Sequence, residues 1–241
     1  VQEVSNGSFS QEGVQLITNG DFENGSTGWN FQLGWTFDNG QAHFENLGSS
    51  NRNLWQSPLV NGNWYKLTFE ITSITSGYIR NVNSSVTDDT QFSTIGVHTQ
   101  YFQAANVNLY LKASVDANLS IDNVSVREVA QNWTLGTGWS IAEDKAVATN
   151  APNGERLRQN NVFTAGKTYK VTYEITELTQ GGFQGYVGGT NITTRSAVGV
   201  YTETLVAPLN DVFYIRTISA TTSGSITNIS VKEVGQNWSV L

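Results

Sequence analysis

Hydrophobic and polar residues alternate along much of this chain. In "WYKLTFEITSI", at 64–74, the alternating apolar positions are Tyr65, Leu67, Phe69 and Ile71. Residues two apart on a strand face the same side, so this pattern predicts an antiparallel sheet with one side on the core and the other in water. Residues 169–176 repeat the pattern, and no stretch shows a comparable helical period. The sequence therefore predicts an all-β protein with essentially no helix, its strands separated by Asn-Gly, Gly-Gly and Ser-Gly turns.

The two halves of the chain repeat one another. "WYKLTFEITSI" matches "TYKVTYEITEL" at 168–178, and "SIDNVSVREVAQNW" at 120–133 matches "SITNISVKEVGQNW" at 225–238. The matching residues are 104 or 105 positions apart throughout. We therefore expect two tandem two-sheet sandwiches, copy one at residues 13–130 and copy two at residues 131–234.

The ends of the chain carry fragments of the same repeat. "VREV" at 126–129 closes copy one, "VKEV" at 231–234 closes copy two, and the chain starts with "VQEV". Residues 1–12 are thus interpreted as the stub of a preceding unit or a linker, and residues 235–241 as the start of a further unit or a tail. This predicts two complete units with stubs at both ends, either cut from a longer array or folded back so that the stubs complete neighbouring units. A start at Val1 without Met favours a processed form or a piece of a longer protein. The alternative is a duplicated domain whose terminal similarity is incidental.

Composition narrows the classes of function. The formal net charge is −7, and no cluster of Lys or Arg along the sequence supplies the positive surface that phosphate backbones require. We therefore expect no nucleic-acid partner, and no apolar stretch is long enough to predict membrane insertion. The chain has no cysteine, and its two histidines, His43 and His98, are not at metal-ligand spacing. These features predict a protein that is not an enzyme.

Two motifs at the ends of copy one point to a family. The opening segment "LITNGDFENGSTGW" (16–29) and the closing strand "SIDNVSV" (120–126) make copy one resemble carbohydrate-binding modules of the family 4 and 9 type. The resemblance implies a jelly-roll β-sandwich for each copy. Copy two departs from the pattern, since it lacks the opening motif after residue 130 and has Thr227 in place of Asp122. "NISVKEVGQNW" is also similar to repeats in bacteriophage tail fibres and other virion surface proteins.

The family resemblance implies a structural calcium ion in copy one that ties the opening segment to the closing strand. Its ligands would be Glu23 and Asp122, with Asn19 and Asp21 as further candidates. Calcium prefers several oxygen ligands, which these side chains supply. The alternative is that Asp122 and Asn123 only shape a bend in the strand.

The tryptophans divide into two groups. Trp29 and Trp35 recur as Trp133 and Trp139 at the repeat spacing, which favours core positions. Trp55 and Trp64 do not recur, because Arg158 and Thr168 replace them. Since sugars stack on aromatic rings, we predict a glycan platform in copy one. Its members would be Trp55, Trp64, Tyr78, Arg80 and His43. The alternative is that these aromatics fill the sandwich or an interdomain contact.

Together these features predict a non-catalytic virion surface protein, of the phage tail fibre or capsid decoration type, acting in adhesion or assembly. The expected partners are other virion proteins or copies of itself in a homo-oligomer, together with cell-surface glycans. The expected location is extracellular or on a virion surface. The alternative function is a carbohydrate-binding module pair of a secreted polysaccharide-degrading enzyme, or a bacterial surface adhesin.

Overall fold

The computed structural model describes residues 1–45, 52–83 and 89–235, and within these it contains strands and no helix. The chain divides into two compact units. One, the inserted unit, is Glu12–Val129. The other, the split unit, combines Val1–Gln11 with the chain from Ala130 onward. None of the described residues belongs to a helix that could cross a membrane.

The strands of the inserted unit are β1 (Asn30–Phe31), β2 (Trp35–Asp38), β3 (Gln41–Glu45), β4 (Arg52–Gln56), β5 (Trp64–Ser76), β6 (Ile79–Asn81), β7 (Gly96–Gln103), β8 (Leu109–Ala113) and β9 (Asn118–Val129). The strands of the split unit are β10 (Thr134–Leu135), β11 (Trp139–Ala142), β12 (Lys145–Pro152), β13 (Arg156–Gln159), β14 (Thr168–Gln180), β15 (Phe183–Val187), β16 (Thr190–Asn191), β17 (Gly199–Val206), β18 (Phe213–Thr217) and β19 (Thr221–Glu233).

Each unit is built from two antiparallel sheets. In the inserted unit the long-strand sheet has the order β2-β3-β9-β5-β7, and the short-strand sheet has the order β1-β4-β8-β6. In the split unit the corresponding orders are β11-β12-β19-β14-β17 and β10-β13-β18-β15-β16. The predicted fold class, all-β with two sandwich domains, is confirmed.

The sides of the strands follow the alternation in the sequence. Along β5, Tyr65, Leu67 and Phe69 are buried, whereas Lys66 and Thr68 between them are partly exposed. β14 repeats this arrangement. The four recurring tryptophans are buried in both units, as predicted: Trp29, Trp35, Trp133 and Trp139. Burial of one side of each sheet removes apolar surface from water and fixes the strand register.

The N-terminal segment differs from the sequence expectation for residues 1–12. Val1–Gln11 belongs to the split unit, where it lies along the closing strand β19. Gln2 pairs with Lys232, and the Glu3 amide donates to the carbonyl of Val231 at 2.8 Å. The buried Phe9 packs on Trp133 with 5.3 Å between ring centroids. The segment is therefore part of copy two rather than the stub of a preceding unit.

The opening segment of the inserted unit makes the same contacts, and its residues lie 13 positions after their counterparts in the split unit. Phe22 packs on Trp29 at 5.4 Å, as Phe9 packs on Trp133. The Val124 amide donates to the carbonyl of Gly20 at 2.8 Å, and the Ile229 amide donates to that of Gly7 at the same distance. "VSNGSF" at 4–9 is thus the opening motif of copy two, corresponding to "ITNGDF" at 17–22.

A glutamine side chain fixes each opening segment in the same way. The Gln56 amide group pairs with both backbone groups of Thr18, at 3.1 and 2.7 Å. Gln159 pairs with both backbone groups of Ser5, at 3.0 and 2.5 Å. These buried amides satisfy backbone groups that no neighbouring strand reaches.

Of the predicted C-terminal element, residues 236–241 lie outside the described residues.

Candidate binding surface

The structure distributes the five predicted platform residues over two sheets. Trp55 in β4 and Arg80 in β6 belong to the short-strand sheet of the inserted unit, and Tyr78 directly precedes β6. Trp64 in β5 and His43 in β3 belong to the long-strand sheet. The two sheets face each other across the core, so the five side chains do not form one platform.

Trp64 and His43 are engaged within the protein. Trp64 is only 9% exposed, and its indole nitrogen is buried without a hydrogen-bond partner among the described residues. The His43 ring lies 2.7 Å from the Ser120 hydroxyl through Nδ1 and 2.5 Å from an Asp38 carboxylate oxygen through Nε2. A buried indole offers no ring face to a sugar, which removes Trp64 from a surface site.

Trp55 instead forms an aromatic pair with a residue that the sequence reasoning missed. Trp55 and Tyr110 face each other across β4 and β8, with ring centroids 6.0 Å apart. Both are partly exposed, while Leu54 and Leu111, on the opposite side of the strands, are completely buried. The pair therefore lies on the outer side of the short-strand sheet. The alternation in "LYLKA" was the signal for Tyr110, but only the strand pairing places it beside Trp55.

Polar and charged side chains surround this aromatic pair. Asn53 and Lys112 face each other one pleat away, and Arg80 pairs with Lys112 from the next strand. The Asn108 amide donates to the Tyr110 hydroxyl at 2.9 Å, which orients the phenol. Arg80 forms an ion pair with Asp89, so one of the two cations is already neutralised. The arrangement can stack a sugar ring and hydrogen-bond its hydroxyls.

The four calcium candidates lie near one end of the inserted unit but do not converge. Asn19 and Asp21 line a groove of about 380 Å³ between the opening segment and the closing strand. The Asn19 amide donates to the carbonyls of Gly25 and Thr27 and accepts from the Asn24 amide, so the turn uses it fully. The Glu23 carboxylate lies instead against the backbone of Gly40.

Asp122 is the most unusual carboxylate of this group. Partial burial raises its pKa, and the nearby charges of Glu70 and Asp21 add to this effect, while the Asn123 amide opposes it. In the split unit the corresponding Thr227 donates its hydroxyl to the carbonyl of Asp144 at 3.0 Å. Asp122 thus places an acceptor where the other unit has a donor.

The donor set fits calcium only in part. All its atoms are oxygens, which calcium prefers. Within the described residues, however, no three acidic or histidine side chains gather into a group that could hold a metal ion. Asn123 has a φ of 53°, and the β5 to β9 register shifts between Thr68 and Glu70, so Asp122 and Asn123 also shape a bend. Calcium binding by Glu23 and Asp122, with Asn19 and Asp21 as further candidates, stays a prediction.

Solved structures similar to this chain include a tandem CBM22 domain, a cycloalternan-forming enzyme and a secreted protease. The N-terminal CBM22-1-CBM22-2 tandem domain from Paenibacillus barcinonensis Xyn10C is 10% identical, with a TM-score of 0.38 over 93% of this chain and 99% of that chain. A cycloalternan-forming enzyme from Listeria monocytogenes is 12% identical, with a TM-score of 0.31 over 85% of this chain and 21% of that chain. The secreted serine protease VesC from Vibrio cholerae is 13% identical, with a TM-score of 0.30 over 83% of this chain and 51% of that chain. No protein-family model and no curated protein matches the sequence.

Proposed function

We propose that this protein binds carbohydrate without catalysing a reaction, and that the outer side of the short-strand sheet of the inserted unit holds a sugar. The observation that carries the proposal is the cross-strand pair of Trp55 and Tyr110, both partly exposed on this side. The resemblance of the 16–29 segment to family 4 and 9 modules supports it on independent grounds.

The surroundings of the pair suit an uncharged or weakly charged sugar. Lys112 offers an ammonium group beside the rings, and Asp89 neutralises Arg80. A pyranose has an apolar face for stacking and hydroxyls at its rim for such groups. Stacking on a rigid cross-strand pair costs little conformational entropy, because the sheet already orders both rings.

The test is glycan-array screening of the full chain, followed by calorimetric titration of the best neutral oligosaccharide. Trp55→Ala should weaken binding by about thirtyfold, the loss of about 2 kcal/mol expected for a central aromatic contact. Tyr101→Ala is the matched control, since Tyr101 is a partly exposed aromatic residue on the long-strand sheet of the same unit. Equal effects of both substitutions, or no neutral ligand at all, would refute the proposal.

The location on a virion is a separate hypothesis that rests only on the "NISVKEVGQNW" similarity, and no feature of the fold supports it. An extracellular or virion-surface location, a homo-oligomeric state and assembly with other virion proteins stay predictions. Native mass spectrometry tests the oligomeric state. A mass equal to one chain would contradict self-assembly while leaving the sugar-binding proposal intact.

A further inference from the structure

Three arginines lie together on the outer side of the short-strand sheet of the split unit. Arg156 and Arg216 face each other directly across β13 and β18, and Arg158 is two residues along β13 from Arg156. Leu157, between Arg156 and Arg158, and Ile215, directly before Arg216, are completely buried. All three guanidinium groups therefore extend from the same side of one sheet.

In the part of the chain that the structure describes, these guanidinium groups have no carboxylate partner. Among the described residues, none of the three forms an ion pair, although acidic residues outnumber basic ones by 20 to 13 in the whole chain. Arg216 donates instead to the neutral Gln184 side chain, at 3.1 Å through Nε. Like charges directly opposite on neighbouring strands destabilise a sheet. The pairing of Arg156 with Arg216 thus has a cost in stability that an anionic ligand would offset.

A stacked aromatic pair lies beside the arginines. The rings of Tyr186 and Tyr214 are 4.4 Å apart and nearly parallel, with 5° between their planes. The Arg156 guanidinium lies 4.5 Å from the centre of the Tyr214 ring. Tyr214 is 5% exposed, whereas Tyr186 keeps part of its surface accessible. The Tyr186 hydroxyl donates to Asp211 at 3.1 Å, which fixes the ring in place.

A groove begins at the edge of this surface. It has a volume of about 320 Å³ and is lined by the turn before β13 and by β10, with Arg156 and Arg158 on its wall. Its one acidic residue, Glu155, accepts a hydrogen bond from the Thr137 amide at 2.7 Å. A volume of this size matches the lower end of ligand pockets.

The same positions in the inserted unit carry different chemistry. The strand pairing shows which residues of the two units correspond. Asn53 corresponds to Arg156, Trp55 to Arg158, and Lys112 to Arg216. The buried residues of the two sheets correspond, so the exchange is confined to the outer side. One surface therefore has a partly exposed tryptophan and a partly neutralised cation pair, while the other has three arginines that form no ion pair with any described residue.

From these contrasts we propose that the outer side of the short-strand sheet of the split unit binds an anionic glycan, one that carries carboxylate or sulfate groups. Arg156, Arg158 and Arg216 take the anionic groups, since a guanidinium matches the two oxygens of a carboxylate or sulfate with parallel hydrogen bonds. Tyr186 contacts the sugar ring. The inference extends the proposed function to a second surface with the opposite ligand preference.

The experiment titrates the full chain with an oligogalacturonide, with its uncharged methyl ester of the same length, and with sulfated and unsulfated dextran oligosaccharides. We expect the charged ligand of at least one pair to bind and its uncharged partner to bind at least tenfold more weakly. Each of Arg156→Gln, Arg158→Gln and Arg216→Gln should weaken binding of the charged ligand by about tenfold to a hundredfold, the range for one charge-assisted hydrogen bond. The two ligand series show whether carboxylate or sulfate is preferred.

Lys170→Gln is the matched control, because it removes one exposed cation from the long-strand sheet of the same unit. Equal weakening by Lys170→Gln would show non-specific attraction and overturn the proposal, as would tighter binding of an oligonucleotide than of any charged glycan. Failure of the charged ligands alone, with neutral glycans still bound through Trp55, overturns this inference and leaves the proposed function standing. Thermal melting of each variant shows whether it is folded.

Discussion

The role of the N-terminal segment in the split unit can be tested with one substitution. Phe9 is 1% exposed and contacts Trp133 at 5.3 Å, and truncation of a buried phenylalanine typically costs about 3 to 5 kcal/mol. This is a large part of the total of about 5 to 15 kcal/mol for a domain. Phe9→Ala should therefore strongly destabilise the split unit, although Phe9 is more than a hundred residues from most of that unit in sequence.

The assay is urea unfolding of the full chain followed by tryptophan fluorescence, which resolves one transition per unit if they unfold separately. Phe9→Ala should move the midpoint of one transition to lower urea, and Phe22→Ala, the equivalent change in the inserted unit, should move the other. A double variant should lower both midpoints, since distant sites act additively. If Phe9→Ala left both midpoints in place, or shifted the same transition as Phe22→Ala, the assignment of Val1–Gln11 to the split unit would be wrong.

Two further predictions concern ionisable groups. Burial raises the pKa of Tyr173 to about 12. The native state therefore keeps a proton that the unfolded chain releases above about pH 10. The split unit should lose up to about 3 kcal/mol of stability as pH rises from about 10 to about 12. Tyr173→Phe should reduce this loss in urea unfolding at a series of pH values, and parallel profiles for both proteins would contradict the assignment to Tyr173. Millimolar calcium should raise the melting temperature of the inserted unit and leave that of the split unit unchanged, whereas in Asp122→Asn the calcium effect should vanish. An equal response to chelator in both proteins would count against calcium at Asp122.

The sandwich architecture could be predicted from the sequence because the pattern that identifies each strand lies within that strand. Period-two alternation in β5 and β14 identifies the buried side of each strand without reference to its neighbours. The pairing of Trp55 with Tyr110 could not be predicted in this way, since the two strands are more than fifty residues apart. The alternation also failed at the start of β5, where Trp64 and Tyr65 are buried in succession. Trp64 was assigned to the platform because Thr168 replaces it in copy two, but its burial shows that a residue that does not recur can still belong to the core.

The N-terminal segment shows a different limit. "VQEV" was assigned to a preceding unit because its four residues resemble "VREV" and "VKEV", although it lies 125 residues before "VREV" and so outside the repeat of 104 or 105 residues. The better match, "VSNGSF" to "ITNGDF", lies only 13 residues away and crosses the boundary between the units. Its residues share a backbone conformation, since Asn6 and Asn19 have φ values of 47° and 53°. A comparison at all spacings would have found this motif.

The split connectivity also sets an order in which the protein can be completed during synthesis. The inserted unit closes on itself, because the Gly13 amide bonds to the carbonyl of Glu128, and all of its strands leave the ribosome before β10. Residues 1–11 must wait for β19, because Gln2 pairs with Lys232, 230 positions later. Contacts of such long range make folding slow, and domains made first generally fold first. A nascent chain stopped before β19 would thus carry a finished inserted unit and a segment 1–11 without its pairing partner, exposed to premature pairing with other chains.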